Sequence, residues 1–552
     1  MLFTTVEFLI FLAILFIAYY LIPKRFKKTL QWKLLLIASV FFYYLTGVGN
    51  LIYLGITIVT TFIGALLIDW LNRRQFEFIS ANKAKPEDSP ERLPKDALKA
   101  YKKVNKNKRL WVLVICLLLN FGMLTFVKVS PFAILGISFY IFRSVSFLID
   151  LHRGKFKLTE GLNPDYEEPK TNQAKRDVLH GRQFNAIRDF LKFALYVSFF
   201  PVLLQGPITR FDESGTALFK GNCFDFRKFS FGIQRILWGV FKKLVIADRL
   251  AIALITLIQS PEQYRGIYAL MAFFFYAIVL YADFTGGIDI TIGIGQALGI
   301  PMKENFVKPF FARNIAEYWR RWHITMGTWF RDYLFYPFSV CKPMLKFGGA
   351  LRKRIGGIGN NLARRIPVHL ATLVAWFATG IWHGISWNFI VWGLINGVII
   401  VISTELEPLY NRFNTKFPNL VASRFYTGFE IFRTFWLMNL IRSFDLYSVR
   451  TTVGLHLSIF TDFSWGQFTT YGVSTLGLQM EDYIVIGAAL LVLFISAYIK
   501  IKLLNDGSVR EWLALKPMPF RFTVYGVLLF GVIIFGVYGF GYDAQQFIYT
   551  QF

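Results

Sequence analysis

Long apolar runs alternate with short basic segments along the whole chain. Several runs have roughly the 18 to 22 residues that a helix needs to cross the hydrocarbon core of a bilayer. We predict transmembrane helices at about residues 1–23, 34–46, 51–71, 110–129, 131–150, 268–281, 425–446, 483–499 and 522–540. The stretch 367–403 is too long for one span and too short for two. This pattern predicts an all-α polytopic membrane protein.

The composition supports a membrane protein and argues against a soluble domain. Hydrophobic residues make up 55% of the 552 positions, aromatic residues 18%, and the mean hydropathy is +0.45. The net charge of +27 comes from Lys and Arg that cluster in short loops between apolar runs. Such clustering is typical of cytoplasmic loops, so we expect no nucleic-acid partner. Cys116, Cys223 and Cys341 have the spacing of neither a disulfide framework nor a zinc site, and we expect no metal.

The polar segments predict the topology. Basic residues follow the first apolar run, so we expect a retained first span with its N-terminus outside. Asn72–Arg109 carries twelve Lys or Arg and five Asp or Glu, which predicts a polar cytoplasmic insert. We favour a solvated linker there, and a surface helix on anionic lipid is the alternative for its end. His152 and His180 are expected to be solvated. Thr451–Asp482 lacks Lys and Arg, which predicts an outside loop with His456 on its surface.

Two interruptions of the apolar pattern stand out. Pro201 and Pro207 break helical geometry in SFFPVLLQGPITRFDE, which either lines a site or is a kinked helix. Further along, Asp283 and Asp289 lie among glycines in YADFTGGIDITIGIGQALGI. Carboxylates inside a membrane protein are functional by default, and the glycines favour close contact between helices.

Two histidines in aromatic surroundings are the candidates for chemistry. His323 lies in EYWRRWHITMGTWFRDYLF, and Glu304–Phe338 is too charged for an ordinary span and too aromatic for a solvated loop. At helical spacing, its aromatic residues share one broad face with His323, which favours an interfacial or re-entrant helix. The following Cys341–Ile366 is basic and has no acid. Either topology alone explains its charges, or it attracts an anionic cosubstrate such as coenzyme A.

His383 is the better candidate for a general base. Trp382, Trp387 and Trp392 predict a dry aromatic wall, Gly380 and Gly384 allow close backbone approach, and Asn388 offers a polar partner. A desolvated neutral imidazole takes a proton from an attacking hydroxyl, and His323 is suited to orient an acyl carbonyl or assist proton transfer. There is no GxSxG motif, no HExxH motif and no cysteine near either histidine in sequence. Direct transfer with a histidine base is therefore the economical chemistry.

The chain resembles the membrane-bound O-acyltransferase superfamily, and specifically its bacterial alginate O-acetyltransferase-like branch. The motifs that carry the resemblance are LLQGPITRF (203–211), YADFTGGIDITIGIG (281–295), ENFVKPFFARNIAEYWRRWHITMGTWFRDYLFYP (304–337), GIWHGISWNFIVWG (380–393) and the closing GYDAQQFIYTQF (541–552). One departure is visible. The family tract commonly has DFSG followed by an aromatic residue, where this chain has Thr285 and Gly287.

The resemblance implies a fold, a site and a partner. His383 matches the family's catalytic histidine, and His323 matches the second active-site histidine of the bacterial branch. The fold would be one membrane-embedded domain over residues 1–552, a ring of roughly 11 or more transmembrane helices with re-entrant helices around a central funnel. Residues 200–400 would form the catalytic core, and residues 425–552 the C-terminal helices. The acyl donor would enter from the cytoplasm, and an SGNH-type partner would act outside.

The sequence therefore predicts an O-acetyltransferase of the bacterial cytoplasmic membrane that acetylates an exported polysaccharide. We expect acetyl-coenzyme A as donor substrate and no bound cofactor. We assign donor or substrate binding to Trp322, Arg320, Arg321, Asn305, Asp283, Trp382, Trp387 and Asn388. Two alternatives stay open. They are D-alanyl transfer to teichoic acid from a carrier-protein thioester, and a non-catalytic scaffold or channel for polysaccharide export.

Overall fold

The structure is a computed structural model that describes residues 3–130, 134–162, 186–355, 360–467, 472–504 and 507–538. In these ranges the regular secondary structure is helical throughout. The described chain divides into two compact units, Met1–Ser230 with Ile294–Met302, and Phe231–Gly293 with Lys303–Phe552. The prediction of one domain over residues 1–552 stays a prediction. The closing GYDAQQFIYTQF motif and His180 lie outside the described residues.

The first unit is built mainly from eight described helices. They are α1 (Val6–Leu21), α2 (Lys27–Tyr44), α3 (Val48–Ala84), α4 (Lys95–Val129), α5 (Ile137–His152), α6 (Leu158–Leu162), α7 (Ala186–Ser198) and α8 (Phe200–Gln205). The first two predicted spans form one broken pair, which bends by 101° around Pro23 and the short turn Lys24–Phe26. Proline lacks the N–H that would continue the helix of α1.

The polar insert is mostly exposed, as predicted, but it is helical over most of its length and not an irregular linker. α3 continues to Ala84 and α4 begins at Lys95. The two helices are tied together by side chains, because Phe78 stacks on Tyr101 at 4.1 Å and Arg109 donates to Asn72. Helix-forming residues sustain both helices, and the three prolines of the segment fall in the turn between them.

The second unit contains the larger set of helices, and α9 and α11 contribute residues to both units. These helices are α9 (Phe226–Phe241), α10 (Asp248–Gln259), α11 (Ile267–Ala297), α12 (Ile315–Arg321), α13 (Ile324–Phe330), α14 (Tyr336–Ser339), α15 (Lys342–Ile355), α16 (Asn360–His383), α17 (Trp387–Glu405), α18 (Glu407–Lys416), α19 (Pro418–Val421), α20 (Arg424–Arg442), α21 (Val449–Thr461), α22 (Met480–Tyr498), α23 (Val509–Ala514) and α24 (Met518–Phe535). The stretch 367–403, whose span number the sequence left open, belongs to two helices, α16 and α17.

Seven helices of the described chain are long and apolar enough to cross a bilayer, or eight if α1 and α2 count as one broken span. The seven are Val48–Ala84, Lys95–Val129, Ile267–Ala297, Ala363–His383, Trp387–Glu405, Met480–Leu503 and Met518–Phe535. The protein is therefore a multi-pass membrane protein. The predicted span at 425–446 forms α20, which carries too many charged residues to belong to this set. The predicted span at 131–150 forms α5, which is too short. The ring of 11 or more helices stays a prediction.

Two histidines of the predicted loops lie in helices, so the expectations of solvation are wrong. His152 is the last residue of α5 and is half-buried. His456 lies in α21 within the predicted outside loop, and its Nε2 shares a hydrogen bond of 2.8 Å with the Ser443 hydroxyl. Its ring packs edge-on against Phe273 at 5.3 Å. Burial lowers the pKa of both imidazoles.

Candidate active site

The predicted single helix around His323 is broken at the histidine itself. α12 ends at Arg321, Trp322 is extended, and His323 has φ 46°, in the left-handed region. The continuous aromatic face predicted from helical spacing is therefore wrong. Such a conformation costs of order 1–3 kcal/mol for a residue with a side chain and persists only where its surroundings impose it.

Asn305 imposes the break at His323. Its carbonyl oxygen accepts the Ile324 N–H at 3.0 Å, and its side-chain Oδ1 accepts the N–H and the hydroxyl of Thr325 at 3.0 and 2.9 Å. These bonds satisfy N–H groups of the first turn of α13, which have no partner within the helix. Asn305 therefore caps α13 from a distant position in the chain.

The same contacts determine which nitrogen of His323 carries a proton. Because the Thr325 N–H donates to Asn305 Oδ1, this atom is an acceptor, and His323 Nδ1, at 3.3 Å, must donate to it. In the neutral imidazole, Nε2 then keeps its lone pair. His323 is fully buried, and burial, with a smaller contribution from the Arg442 guanidinium, lowers its pKa to about 3. His323 is therefore neutral near physiological pH.

His383 ends α16 and lies among aromatic rings. It is 5% exposed, and its ring centroid lies 4.6 Å from that of Trp392 and 4.8 Å from that of Trp382. Trp382 also contacts His323, with ring centroids 6.1 Å apart. The structure thus brings both predicted histidines against one indole.

The predicted aromatic wall is confirmed in part. Trp382 and Trp392 are buried beside His383, but Trp387 is 75% exposed and lies outside this wall. Trp387 is the first residue of α17. Asn388 was predicted to be a polar partner of His383. Its amide donates instead to the Phe444 carbonyl oxygen at 2.9 Å.

The predicted close approach at Gly380 and Gly384 is confirmed. A Cβ on Gly380 would lie 2.5 Å from the Phe389 carbonyl oxygen, and one on Gly384 would overlap the Phe389 ring. A Cβ on Gly393 would likewise lie 2.5 Å from the Trp376 carbonyl oxygen. α16 and α17 therefore meet backbone to backbone, which fixes the turn that carries His383.

Three buried N–H donors lie beside the two imidazoles. They are Asn305 Nδ2, Trp322 Nε1 and Trp392 Nε1, and their side chains are at most 1% exposed. Across the described ranges none of these atoms has a hydrogen-bond acceptor. Leaving a buried donor unpaired is costly, and such groups call for a bound partner. The arrangement provides a lone pair that accepts a proton and donors that bind an oxygen.

Arg442 is the residue of this site that sequence analysis missed. It ends α20, is 3% exposed, and its guanidinium lies 3.9 Å from the ring centroid of Trp322 and 5.6 Å from those of Tyr318 and Trp319. A desolvated cation over aromatic faces is favourable. The available signal was an arginine within the otherwise apolar run FWLMNLIRSF.

The other predicted binding residues already have partners of opposite charge or lie at the surface. Arg320 is exposed, and Arg321 pairs with Glu317 at 2.5 Å. Asp283 is 1% exposed and accepts a hydrogen bond of 2.6 Å from the Lys243 ammonium. Roles of these residues in substrate binding stay predictions.

Asp283 and Asp289 belong to a buried ion-pair network. Asp289 accepts bonds from Arg235 at 2.8 Å and from Lys242 at 2.6 Å, and Lys242 also donates to the Thr285 hydroxyl at 2.7 Å. Lys243 further pairs with Asp248, and Arg235 with Glu304. Glycines allow α9 and α11 to pack closely, since a Cβ on Gly239 in α9 would lie 2.5 Å from the carbonyl oxygen of Gly286 in α11. The network explains both carboxylates structurally.

Comparison with known proteins identifies the family that the chain resembles. The sequence model of the membrane-bound O-acyltransferase family matches residues 114–349, a segment that contains His323 and ends before His383. The chain is similar to the membrane-bound O-acyltransferase family over this segment. This match and the relatives below confirm the resemblance to the alginate-like branch, and the protein is an O-acyltransferase.

Relatives of this acyltransferase carry three names. A peptidoglycan O-acetyltransferase of Helicobacter pylori is 28% identical over 434 residues, which cover 75% of this chain and 72% of that protein. A probable alginate O-acetylase of Pseudomonas putida is 30% identical over 289 residues, 52% of this chain and 49% of the relative. A teichoic acid D-alanyltransferase of Bacillus subtilis is 27% identical over 244 residues, 44% and 57% of the two chains. The match thus spans about half the length of the alginate relative.

Proposed function

We propose that this acyltransferase moves an acetyl group from acetyl-coenzyme A to hydroxyls of an exported cell-surface polysaccharide. It would act in the bacterial cytoplasmic membrane, with His383 as general base. The observation that carries the proposal is the pairing of two buried imidazoles with buried N–H donors that have no acceptor in the described chain. The names of the relatives, which act on peptidoglycan and alginate, support a glycan acceptor.

The proposed transfer takes place in one addition and one elimination. His383 takes the proton of an acceptor hydroxyl while the oxygen attacks the thioester carbonyl carbon, and negative charge develops on the carbonyl oxygen. Elimination breaks the carbon–sulfur bond, and the thiolate of coenzyme A takes up the proton from the imidazolium. General-base catalysis of this kind contributes about 10²–10⁴-fold to a rate.

Asn305 is suited to stabilise the charge on the carbonyl oxygen. Its Nδ2 is a fully buried donor, and its orientation is held by the three bonds to its Oδ1. Fixed donors in a dry site need no reorganisation during the reaction, and loss of one such donor typically costs about 10²–10³-fold in kcat. The indole N–H groups of Trp322 and Trp392 are further donors of the same kind.

His323 is suited to assist, and Arg442 to keep it neutral. The Nε2 atom of His323 carries the lone pair, because its Nδ1 donates to Asn305. The low pKa of His323 makes it a weak base, which fits orientation of a substrate hydroxyl better than net proton uptake. His383 therefore remains the proposed base.

The architecture of the proposed enzyme follows the family resemblance. We propose a ring of helices around a funnel, with the donor entering from the cytoplasm and the acceptor from outside. An SGNH-type partner outside the membrane either receives the acetyl group as a relay or acts beside a direct transfer. The basic helix α15, with Lys342 and Arg352–Arg354, is suited to attract the phosphates of coenzyme A.

Ester-linked acetate on purified surface polysaccharide tests this function. Strains carrying wild-type protein, His383→Ala or His323→Ala are compared at equal protein abundance, and His369→Ala serves as the matched control. His369 lies in α16 as His383 does, and it pairs with Glu405 at 2.6 Å. We expect acetate to be lost in His383→Ala, reduced in His323→Ala and unchanged in His369→Ala. Normal acetylation in His383→Ala would reject the proposal.

D-alanyl transfer is the second candidate, because a teichoic acid D-alanyltransferase is among the relatives. Mild alkaline hydrolysis of the purified surface polymer distinguishes it, since D-alanine is then released in place of acetate. Supplying purified protein with acetyl-coenzyme A or with a D-alanyl carrier protein gives an independent answer. The family resemblance argues against the export-scaffold alternative. That alternative predicts that His383→Ala leaves acetylation intact.

A further inference from the structure

Arg143, in α5, is a buried cation without an acidic partner in the described part of the chain. It is 1% exposed, and its guanidinium lies 4.4 Å from the ring centroid of Tyr196. The Tyr196 hydroxyl donates to the Thr209 carbonyl oxygen at 3.1 Å, so the phenol is protonated and neutral. Arginine stays charged in proteins, and a buried charge without a counter-ion is unfavourable. Arg143 Nε and one terminal nitrogen have no hydrogen-bond partner among the described residues.

Gln205 is a second buried polar group without a partner. It ends α8, inside the proline-flanked stretch that sequence analysis left open as site or kink, and it is fully buried. Both of its amide atoms lack hydrogen-bond partners in the described ranges, as do the hydroxyls of Ser144 and Ser198. Because the great majority of buried polar groups are paired, these groups point to a bound ligand.

Two anchor points place the segment that carries Gln205 beside α5. A Cβ on Gly136, which precedes α5, would overlap the Leu203 carbonyl, and Phe147 packs against Phe211 with ring centroids 5.1 Å apart. The segment from 203 to 211 therefore runs alongside α5. Gln205 lies between these anchors in sequence, and Thr209 of the same segment accepts a hydrogen bond from Tyr196, whose ring contacts Arg143.

We propose that Arg143 and Gln205 form a buried site for an oxyanion, a carboxylate or phosphate group, enclosed by α5, α7 and α8. The oxyanion would neutralise Arg143 and accept from its fork of N–H groups, the geometry in which guanidinium binds such groups. Gln205 Nε2 and the Ser144 and Ser198 hydroxyls supply neutral donors to the remaining oxygen atoms. The site belongs to the first unit and does not depend on the proposed acyl transfer.

Thermal unfolding of the full-length protein in detergent tests the site. Wild type, Arg143→Met and Gln205→Leu are compared in sodium chloride, acetate and phosphate at equal ionic strength and pH. The exposed Arg25→Met of the same unit is the matched control. Acetate or phosphate should raise the Tm of wild type and of Arg25→Met above the value in chloride. The Tm of Arg143→Met should not respond, and the anion Kd of Gln205→Leu should rise at least about tenfold.

Folding of the variants does not obscure the result. Replacing an uncompensated buried charge by an apolar side chain of similar volume is often neutral or stabilising, so Arg143→Met should unfold in chloride at the wild-type temperature or above. A rise in Tm with acetate indicates a carboxylate ligand, and a rise with phosphate indicates a phosphate ligand. The proposal is overturned if wild type responds to neither anion, which would indicate water alone, or if Arg143→Met responds as wild type does.

Discussion

Arg442 lies with its guanidinium 3.9 Å from the ring centroid of Trp322, the residue immediately before the left-handed His323. Tyr318 stacks on Trp322 nearly in parallel, with ring centroids 5.7 Å apart. The cation thus holds an indole at the break between α12 and α13. Because a desolvated cation–π contact contributes about 2 kcal/mol, Arg442 is a strong constraint on this break.

Replacing Arg442 by methionine should lower the acyl transfer rate by up to about thirtyfold, the factor that corresponds to a desolvated cation–π contact of about 2 kcal/mol. It should also move the acidic limb of the pH–rate profile to higher pH. Arg442 lowers the pKa of His323, so its removal raises that pKa and protonates His323 at a higher pH. Burial, the larger cause, remains, so the limb should stay below neutrality. Transfer rates of purified protein across the pH range measure both effects.

Arg433→Met is the matched control for this prediction. Arg433 lies in the same helix but is exposed and donates to the Arg313 carbonyl oxygen. It should leave the acidic limb in place. An Arg442→Met enzyme with reduced activity and an unshifted limb would indicate a structural role alone.

Replacing Asn305 by aspartate should separate its capping role from its proposed role in catalysis. Asn305→Asp keeps an acceptor for Thr325 and for His323 Nδ1 but loses the Nδ2 donor. We expect kcat to fall about 10²–10³-fold, as for loss of an oxyanion donor. The loss of Tm should be smaller than in Asn305→Leu, because three donors still bind the carboxylate. Asn305→Leu loses the cap as well and should also lower the Tm. Wild-type kcat in Asn305→Asp would exclude Nδ2 from the reaction.

Local chemistry made part of the site predictable from the sequence. Gly380 and Gly384 flank Trp382 and His383, and small residues beside large aromatic ones indicate helices in close contact whatever the rest of the chain does. The apolar length of α3, α11 and α24 likewise predicts spans without tertiary information. These features depend on residues that are near neighbours in sequence.

The break at His323 was not predictable, because its cause lies elsewhere in the chain. Helical spacing from 315 to 330 is continuous, and the cap that interrupts it comes from Asn305. Arg442 reaches the same place from α20, and the orientation of Trp387 depends on how α17 begins. Periodicity describes one helix at a time, so contacts between distant segments escape it.

Gly380→Ala should destabilise the turn that carries His383. The added methyl group would lie 2.5 Å from the Phe389 carbonyl oxygen, so α16 and α17 must separate, at a cost of about 1–3 kcal/mol. Gly428→Ala in α20 is the control, because no atom lies within 4 Å of the added Cβ. It should be neutral or stabilise by about 0.5–1 kcal/mol, since alanine favours helix over glycine. Thermal unfolding in detergent measures both, and equal shifts would contradict the close packing.

Asp289→Asn should be among the most destabilising substitutions in the second unit. Asp289 is 15% exposed and balances Arg235 and Lys242, whose side chains are 7% and 4% exposed, so its loss leaves buried positive charge uncompensated. Removing one partner of a buried pair costs about 3–5 kcal/mol. The control is Asp462→Asn, which breaks the pair with Arg265 at 2.6 Å, where the side chains are 35% and 38% exposed. Solvent screening leaves such a pair little net stability, so the Tm of Asp462→Asn should stay near that of wild type. Similar Tm losses in the two variants would show that the network is solvated and that Asp289 is free for a role in binding or catalysis.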